Sequence, residues 1–296
     1  MDLLLKIGRL LWQAVYLILA PYFVANFIFL AITKAVYTPI HDYFEGDEFK
    51  IYVYGGNTIL FMWFWIFNSF FIYIDLTNPE WVQKYKIQED KKPSRSQYFA
   101  VFKTILFNQL LVGPVVTAFW YNVASWSGTS FSTEELPSII EVVAKIAFCI
   151  IFEEIGFYYT HRSFHHPALY FVHKKHHEWK APVSITSIYA HPIEHAVSNL
   201  SPVLLGSILT GSHVTTLWIW ATIALLETTC SHSGYHFPYM PSAESHDYHH
   251  KVSNECFGLG ILDRIHGTDA TFRRSVEGRR AYTSFSTIPV KTLHPE

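Results

Sequence analysis

Fifteen of the chain's 17 histidines fall between His161 and His266. They come in groups: HRSFHH at 161–166, HKKHH at 173–177, HPIEH at 191–195, SHSGYH at 231–236 and HDYHH at 246–250. Imidazole is the commonest neutral metal ligand, and a helix brings positions i, i+3 and i+4 onto one face. His173, His176 and His177 have that spacing, as do His246, His249 and His250, and His232 and His236 have its i, i+4 part. That is enough nitrogen for two metal ions sharing one pocket. Isolated histidines such as His41, His213 and His294 read as ordinary residues with one hydrogen bond. Clustered ones differ. Converging imidazoles would repel one another if protonated, and burial favours the neutral form. A bound cation resolves both problems.

All-nitrogen ligation suits Fe, Zn, Cu or Ni. Soluble di-iron bundles use Glu together with Glu-x-x-His, and that motif is absent, as is the HExxH zinc-protease signature. Glu153 and Glu154 stand in an apolar run two turns before His161. A carboxylate in such a run is a functional candidate. Either can hydrogen-bond the outer nitrogen of a ligating imidazole, or pair with Lys145 or Arg162. Glu194, Asn199, Asn254 and Asp263 are further candidates for that supporting role. His191 and His195 flank Pro192, which leaves open whether they act at the site. His266 reads as supporting or structural.

The elements that must position these groups are apolar. Half of the 296 residues are hydrophobic and 16% are charged, and about 20 apolar residues span a bilayer core. Long apolar runs cover about 10–33, 57–76, 100–123 and 138–160. The connections alternate: 34–56 is acidic, 77–99 basic, 124–137 acidic, and basic residues follow 160. Basic connections stay cytosolic, so four crossings are expected, with both termini and the first histidine group on the cytosolic side. The run at 200–230 poses a problem. A single crossing would put His232–His250 on the opposite side from His161–His177. Thr210-Gly211-Ser212-His213 interrupts it, a plausible turn. Each half is short for a full span, so a re-entrant hairpin is expected. The whole reads as an all-α integral membrane protein with a cytosolic His-rich helical cap. It divides into transmembrane helices at 1–137, the histidine-bearing domain at 138–272 and a tail at 273–296. The first apolar run lacks a cleavage site and reads as a retained anchor. A net charge of −2 gives no nucleic-acid signal, and three widely spaced cysteines imply no disulfide framework.

HRSFHH, HKKHH and a late HDYHH, following several apolar spans, resemble the fatty acid hydroxylase superfamily, also called the sterol desaturase family. The segments KKHHEWKAPVSITSIYAHPIEHAVSN (174–199) and HDYHHKVSNECFGLGILDRIHGTD (246–269) carry the resemblance furthest and look nearest to its sterol C4-methyl oxidase branch. The similarity covers roughly 140–270. It implies a membrane oxygenase with two iron ions, zinc being able to take the same nitrogens in purified forms. It also implies O₂, a lipid substrate, and electrons from NAD(P)H through a reductase and a cytochrome b5-type donor at the endoplasmic reticulum. Carried over by motif, the ligands are His161 and His166, with His165 inside the same box, then His173, His176, His177, His232, His236, His246, His249 and His250. Helix geometry disagrees at one point: four residues bring His165 to within about 40° of His161, whereas five turn His166 well past it. Pro167 can distort the helix there, so both stay candidates. Oxidation of a sterol C4-methyl group competes with fatty acyl or sphingoid hydroxylation, and with a catalytically silent metal-binding regulator.

Overall fold

The computed structural model describes residues 2–295, and the side chains of residue 19 and residues 21–295. Lys6 and Arg9, which precede the first apolar run, therefore lie outside the described side chains. Among the described residues the secondary structure is helical, with no strand and one isolated antiparallel bridge, between Lys86 and Tyr235.

Helix α1 (Asp2–Tyr43) runs past the expected apolar limit and absorbs much of the acidic connection. It ends where Glu45 and Gly46 take positive φ, of 54° and 72°. Asp47 then caps α2 (Glu48–Thr77), accepting a hydrogen bond from the Lys50 amide. Asn78, at φ 47°, closes α2 in the left-handed conformation, its amide reaching the Ile74 carbonyl at 2.7 Å. Ser94 and Gln97 form a reciprocal capping box that starts α3 (Arg95–Trp126). Ser138 caps α4 (Ile139–Phe164). Both α2 and α3 contain one π-helical turn, at Ile51–Gly55 and Asn108–Val112.

Among the described residues, three helical stretches are long and apolar enough to cross a membrane: Pro21–Tyr43, Glu48–Thr77 and Arg95–Trp126. Their outer faces are bare hydrocarbon and aromatic surface, with Phe27 at 73%, Phe99 at 80% and Phe119 at 68% exposure. Such surface suits lipid rather than water. The fourth expected crossing, α4, has 26 residues but carries Glu141, Lys145, Glu153 and Glu154 along its length.

The 200–230 run is a helical hairpin. Helix α5 (Ser201–Leu209), led in by a π-helical turn at His195–Leu200, returns as α6 (Val214–Ser231). Gly211 makes the bend at φ 53°, where a Cβ would stand 2.9 Å from the Ser127 carbonyl oxygen. The tip is tied to the 124–137 connection: the Val214 amide donates to Ser130 O at 3.0 Å and His213 Nε2 donates to Ser132 O at 2.9 Å. The hairpin is therefore deeper than its apolar halves suggest, and α6 alone is about 27 Å long. Its return brings residue 232 back to the end of the molecule where α4 ends. Pro202 packs on Gly156, and Gly206 packs on Cys149 so closely that a Cβ would meet the Cys149 Cα at 2.5 Å. These two small residues let α5 lie directly on α4.

Above the helices, residues 165–190, α7 (Glu244–Val252), α8 (Ile261–His266) and the final segment form the cap. The final segment is fastened to it. Tyr85 donates to Thr287 O at 2.8 Å, and the Tyr239 amide donates to Ser284 O at 2.7 Å. Cys149, Cys230 and Cys256 are free and buried.

Candidate metal centre

Each histidine group sits at a helix end or on a short turn, which frees its side chains to converge. His161 is in the last turn of α4 and His165 caps that helix, so the two share a face. Helical turns at Tyr170–His173 and His176–Glu178 present His173, His176 and His177. His232 caps the C-terminus of α6, and α7 supplies His246, His249 and His250.

Nine imidazoles gather into two clusters. One holds His161, His165, His173, His177 and His249; the other holds His176, His232, His246 and His250. Within each, the available ligand atoms all lie within 4.8 Å of one another. The clusters adjoin, with the His177 and His250 rings 4.8 Å apart. Helix α7 serves both, sending His249 into the first and His246 and His250 into the second. His161 and His232, from opposite ends of the sequence pattern, thus reach one centre.

The nitrogens face each other at ligand spacing. Nε2–Nε2 separations are 3.1 Å for His161–His173, 3.0 Å for His249–His177, 3.2 Å for His232–His176, 2.9 Å for His246–His232 and 3.1 Å for His250–His246. Two nitrogens at right angles about one ion, each about 2.1 Å from it, are about 3.0 Å apart. The outer nitrogens decide whether these contacts can instead be hydrogen bonds. His161 Nδ1 reaches Phe257 O at 2.7 Å, His232 Nδ1 reaches Thr228 O at 2.7 Å, His249 Nδ1 reaches Glu255 O at 2.7 Å and His250 Nδ1 reaches Trp179 O at 2.8 Å. A carbonyl only accepts, so each of these Nδ1 atoms carries the proton and donates it. The inward Nε2 atoms are then bare lone pairs. His165 Nε2 is buried with no partner at all. Both outer nitrogens are engaged in the His161–His173 pair, where Glu194 accepts from His173 Nδ1, and in the His232–His176 pair, where the Tyr189 carbonyl faces His176 Nδ1. Lone pairs facing at 3.1 and 3.2 Å there need a cation between them. The residues present therefore fit two nitrogen-ligated metal ions.

Electrostatics favours the same form. Burial pushes His176 down to about 4 and His165 to about 2, the latter also under the influence of His161. Burial and then neighbouring imidazoles hold His173, His177 and His249 far below the ordinary range. All five stay neutral at pH 7, the state that binds metal.

Two expected ligands stand outside both clusters. His166 is exposed, and its Nδ1 accepts from the Ala168 amide at 3.3 Å. The helix stops at His165 because a residue before proline is driven out of the helical region, so nothing carries His166 round to the His161 face. His236 is buried but engaged on both sides. Its Nε2 donates to Tyr282 O at 3.0 Å, and its Nδ1 faces Glu244 Oε1 at 3.4 Å. It fastens the final segment rather than turning inward.

Of the supporting candidates, Glu194 accepts from His173 Nδ1 at 2.6 Å. Asp263 and Glu154 act through the backbone. Asp263 binds the amides of Phe257 and Gly258 at 2.8 and 2.7 Å, and Glu154 binds those of Leu259 and Leu262, both at 2.6 Å. Together they fix the loop whose Phe257 carbonyl orients His161. Among the described residues neither Glu153 nor Glu154 pairs with a cation: Lys145 pairs with Glu141 at 2.9 Å, and Arg162 donates to the Tyr158 hydroxyl. His195 is buried beside Asn199, whose Nδ2 is 3.5 Å from His195 Nδ1. His191 caps a helical turn and Asn254 is exposed; neither touches an imidazole of the clusters. His266 stacks on Tyr158 and bonds the Tyr159 hydroxyl at 3.0 Å.

A cavity of about 240 Å³ opens onto both clusters. His161, His173, His176, His232 and His246 line it together with Leu60, Val203, Ala221, Ala224 and Leu225, and Glu153, Glu194, Asn199 and Glu227 line it too. Along α6 the alanines lie about two to three turns from His232. Two residues of this region escape the sequence reading. Glu227 lines the cavity from inside the second half of the hairpin and, like Glu153, is a carboxylate in an apolar run, which marks a functional candidate. Asn108, fully buried at the π-turn of α3, donates to Ile188 O and Ala190 O at 2.9 and 3.0 Å. It holds the loop whose Tyr189 carbonyl faces His176 Nδ1 at 3.4 Å. Nothing in the local sequence marks it.

Membrane-type helices beneath a cap of nine converging imidazoles define a polyhistidine membrane protein whose imidazoles could hold metal, with a cavity opening onto them. Within that class, the chain belongs to the fatty acid hydroxylase family, whose sequence profile matches residues 146–268. It is 39% identical over 258 residues to the human fatty acid hydroxylase domain-containing protein 2, covering 86% of this chain and 77% of that one. It is 35% identical over 256 residues to the fatty acid hydroxylase ahd1 of Mycosarcoma maydis, covering 83% and 67%. It is 37% identical over 206 residues to the very-long-chain aldehyde decarbonylase GL1-8 of Oryza sativa subsp. indica, covering 65% and 76%. No solved structure matches the chain. Family membership makes this a lipid-modifying oxidoreductase of the membrane.

Proposed function

We propose that the protein oxygenates an unactivated C–H bond of a membrane lipid, with two iron ions held by His161, His165, His173, His177 and His249 and by His176, His232, His246 and His250. The observation that carries this reading is the pair of imidazole clusters opening onto a cavity that Leu60, Val203, Ala221, Ala224 and Leu225 also line. Two irons, with O₂ and electrons from outside, supply the C–H oxidation. The chain's own residues do the rest. Backbone carbonyls lock the imidazoles as Nδ1–H tautomers, and Glu194 fixes His173. Leu60, Val203 and Leu225 exclude water and receive a hydrocarbon surface.

The substrate class is a sterol oxidised at a C4-methyl group or a related biosynthetic lipid. A fatty acyl or sphingoid chain is the second reading, favoured by the name of the fungal relative. Electrons come from NAD(P)H through a cytochrome b5-type donor, and the location is the endoplasmic reticulum membrane. The orientation rests on the basic 77–99 connection. It packs on the His cap, with the Ile87 amide on Gly234 O at 2.9 Å and Gln88 Nε2 on Asp247 Oδ1 at 2.9 Å. Basic connections lie in the cytosol, which supports a cytosolic cap and cytosolic termini. The functional unit is residues 138–272, on an N-terminal membrane part at 1–137 and with a tail at 273–296.

The test is lipid profiling, sterol intermediates included, of cells with the protein, without it, and with His176→Ala, under ¹⁸O₂. The expected result is one lipid carrying ¹⁸O that requires both the protein and His176. Identical profiles in all three would refute the reading.

A further inference from the structure

Glu153 on α4 and Glu227 on α6 line the cavity that ends at His161 and His232. Among the described residues no hydrogen-bond donor reaches either carboxylate, and no lysine or arginine lines the cavity. The adjacent Glu154 makes the contrast: both its oxygens accept backbone amides. Both side chains are partly buried and face the cavity rather than the packed interior, so a ligand that displaces water from them must supply the donor that the water gave. Two such groups in one cavity strengthen the demand, because like charges oppose each other's ionisation. A donor brought in by a ligand relieves both.

The order of residues along α6 says where that donor lies. Ala221 and Ala224 come first, then Glu227, then His232, so along α6 the carboxylate stands between the alanines and the imidazole. Glu227 precedes His232 by about 7.5 Å of helix, and Glu153 precedes His161 by about 12 Å. At about 240 Å³, the cavity is smaller than the roughly 300–1,000 Å³ that takes a whole drug-sized molecule. It holds only the reacting end of a lipid. Resting on the reading of this cavity as the substrate site, we infer that Glu153 and Glu227 grip a hydrogen-bond donor, a hydroxyl or an amine, borne by the lipid near its oxidised carbon. A chain without such a donor is a poor ligand.

The test is binding to the purified, metal-loaded full-length protein in lipid nanodiscs, with two pairs of probes: a 4-methylsterol and its 3-deoxy twin, and octadecylamine and octadecane. The wild type is expected to prefer the donor-bearing member of at least one pair by about 10- to 100-fold, the range for a hydrogen bond to a charged group. E153L/E227L abolishes that preference. E153Q/E227Q abolishes an amine preference, which needs charge, but retains part of a hydroxyl preference, since an amide still accepts; this separates the two sources. Should the leucine pair fail to fold, E227Q, which keeps the side-chain shape, cuts the preference at least fivefold. No preference in the wild type, or an undiminished one in these variants, overturns the inference. Binding preference without any oxygenated product would instead count against the oxygenase reading and leave the grip standing.

Discussion

The two imidazole clusters are built differently. The five-membered cluster draws on α4, the 170–178 turns and α7, and its supports include carboxylates: Glu194 on His173, and Asp263 and Glu154 behind the Phe257 carbonyl. Among the described residues the four-membered cluster has no carboxylate support: it hangs from the carbonyl groups of Tyr189, Thr228 and Trp179, with the Ser231 hydroxyl also 3.5 Å from His232 Nδ1. Three of its four members line the cavity, against two of five in the other. An ion held by the four imidazoles of the second cluster would have fewer protein ligands, and so more room for a non-protein one, than an ion held by the five of the first. The difference teaches that one cluster is the better sheltered and the other the more open to substrate. Removal of single ligands should therefore have unequal effects.

The sharpest way to break that comparison is to remove one ligand from each side. His232→Ala leaves three imidazoles and is expected to lose one metal equivalent and all product. His165→Ala leaves four and is expected to retain both ions. Metal analysis by mass spectrometry compares the two, and equal loss would erase the distinction. Next in size is the carboxylate support. Glu194→Gln keeps shape but weakens the hold on His173, and is expected to lower metal affinity about 10- to 100-fold, read by competition with a chelator. An unchanged affinity would make Glu194 a structural residue only.

A smaller effect concerns protons. His176, pushed by burial from 6.5 down to about 4, takes up its proton in the unfolded chain before it does so in the folded one. In the metal-free protein this stability is complete above about pH 6.5 and is lost as pH falls toward 4. Thermal unfolding of the metal-free protein should move to lower temperature between pH 7 and pH 5; a flat profile would contradict the buried neutral imidazoles. The smallest effect belongs to the two histidines outside the clusters. His166→Ala should leave metal content and stability unchanged, within about 0.5 kcal/mol for an exposed site. His236→Ala should keep both metals while costing about 1–3 kcal/mol for the buried groups left unpaired. Chemical denaturation with parallel metal analysis reads both.

Much of this was legible in the sequence, and the rest failed for identifiable reasons. Thr210–His213 announced the hairpin because a glycine bend between two apolar halves has few other uses. The i, i+3 and i+4 spacings at 173–177 and 246–250 announced convergence. The same spacings concealed the partition into five and four, because His176 and His177 are adjacent in sequence yet face different clusters. At 161–166 the helix period pointed to His165 while the resemblance pointed to His166, and the structure follows the period. His236 looked like a ligand from its distance to His232, but Tyr282, 46 residues away, provides its partner. Asn108 was illegible for a similar reason: its function lies in carbonyls 80 and 82 residues further on. Local spacing reports which side chains share a face, and only the folded chain decides what that face meets.

The central claim, that nine imidazoles hold two ions, is tested most directly by counting metal in the full-length protein purified from iron-supplemented cells. The account predicts about two equivalents per chain, falling to about one in His232→Ala and unchanged in His166→Ala. A wild type with no bound metal, or a His232→Ala protein that keeps both ions, would contradict it.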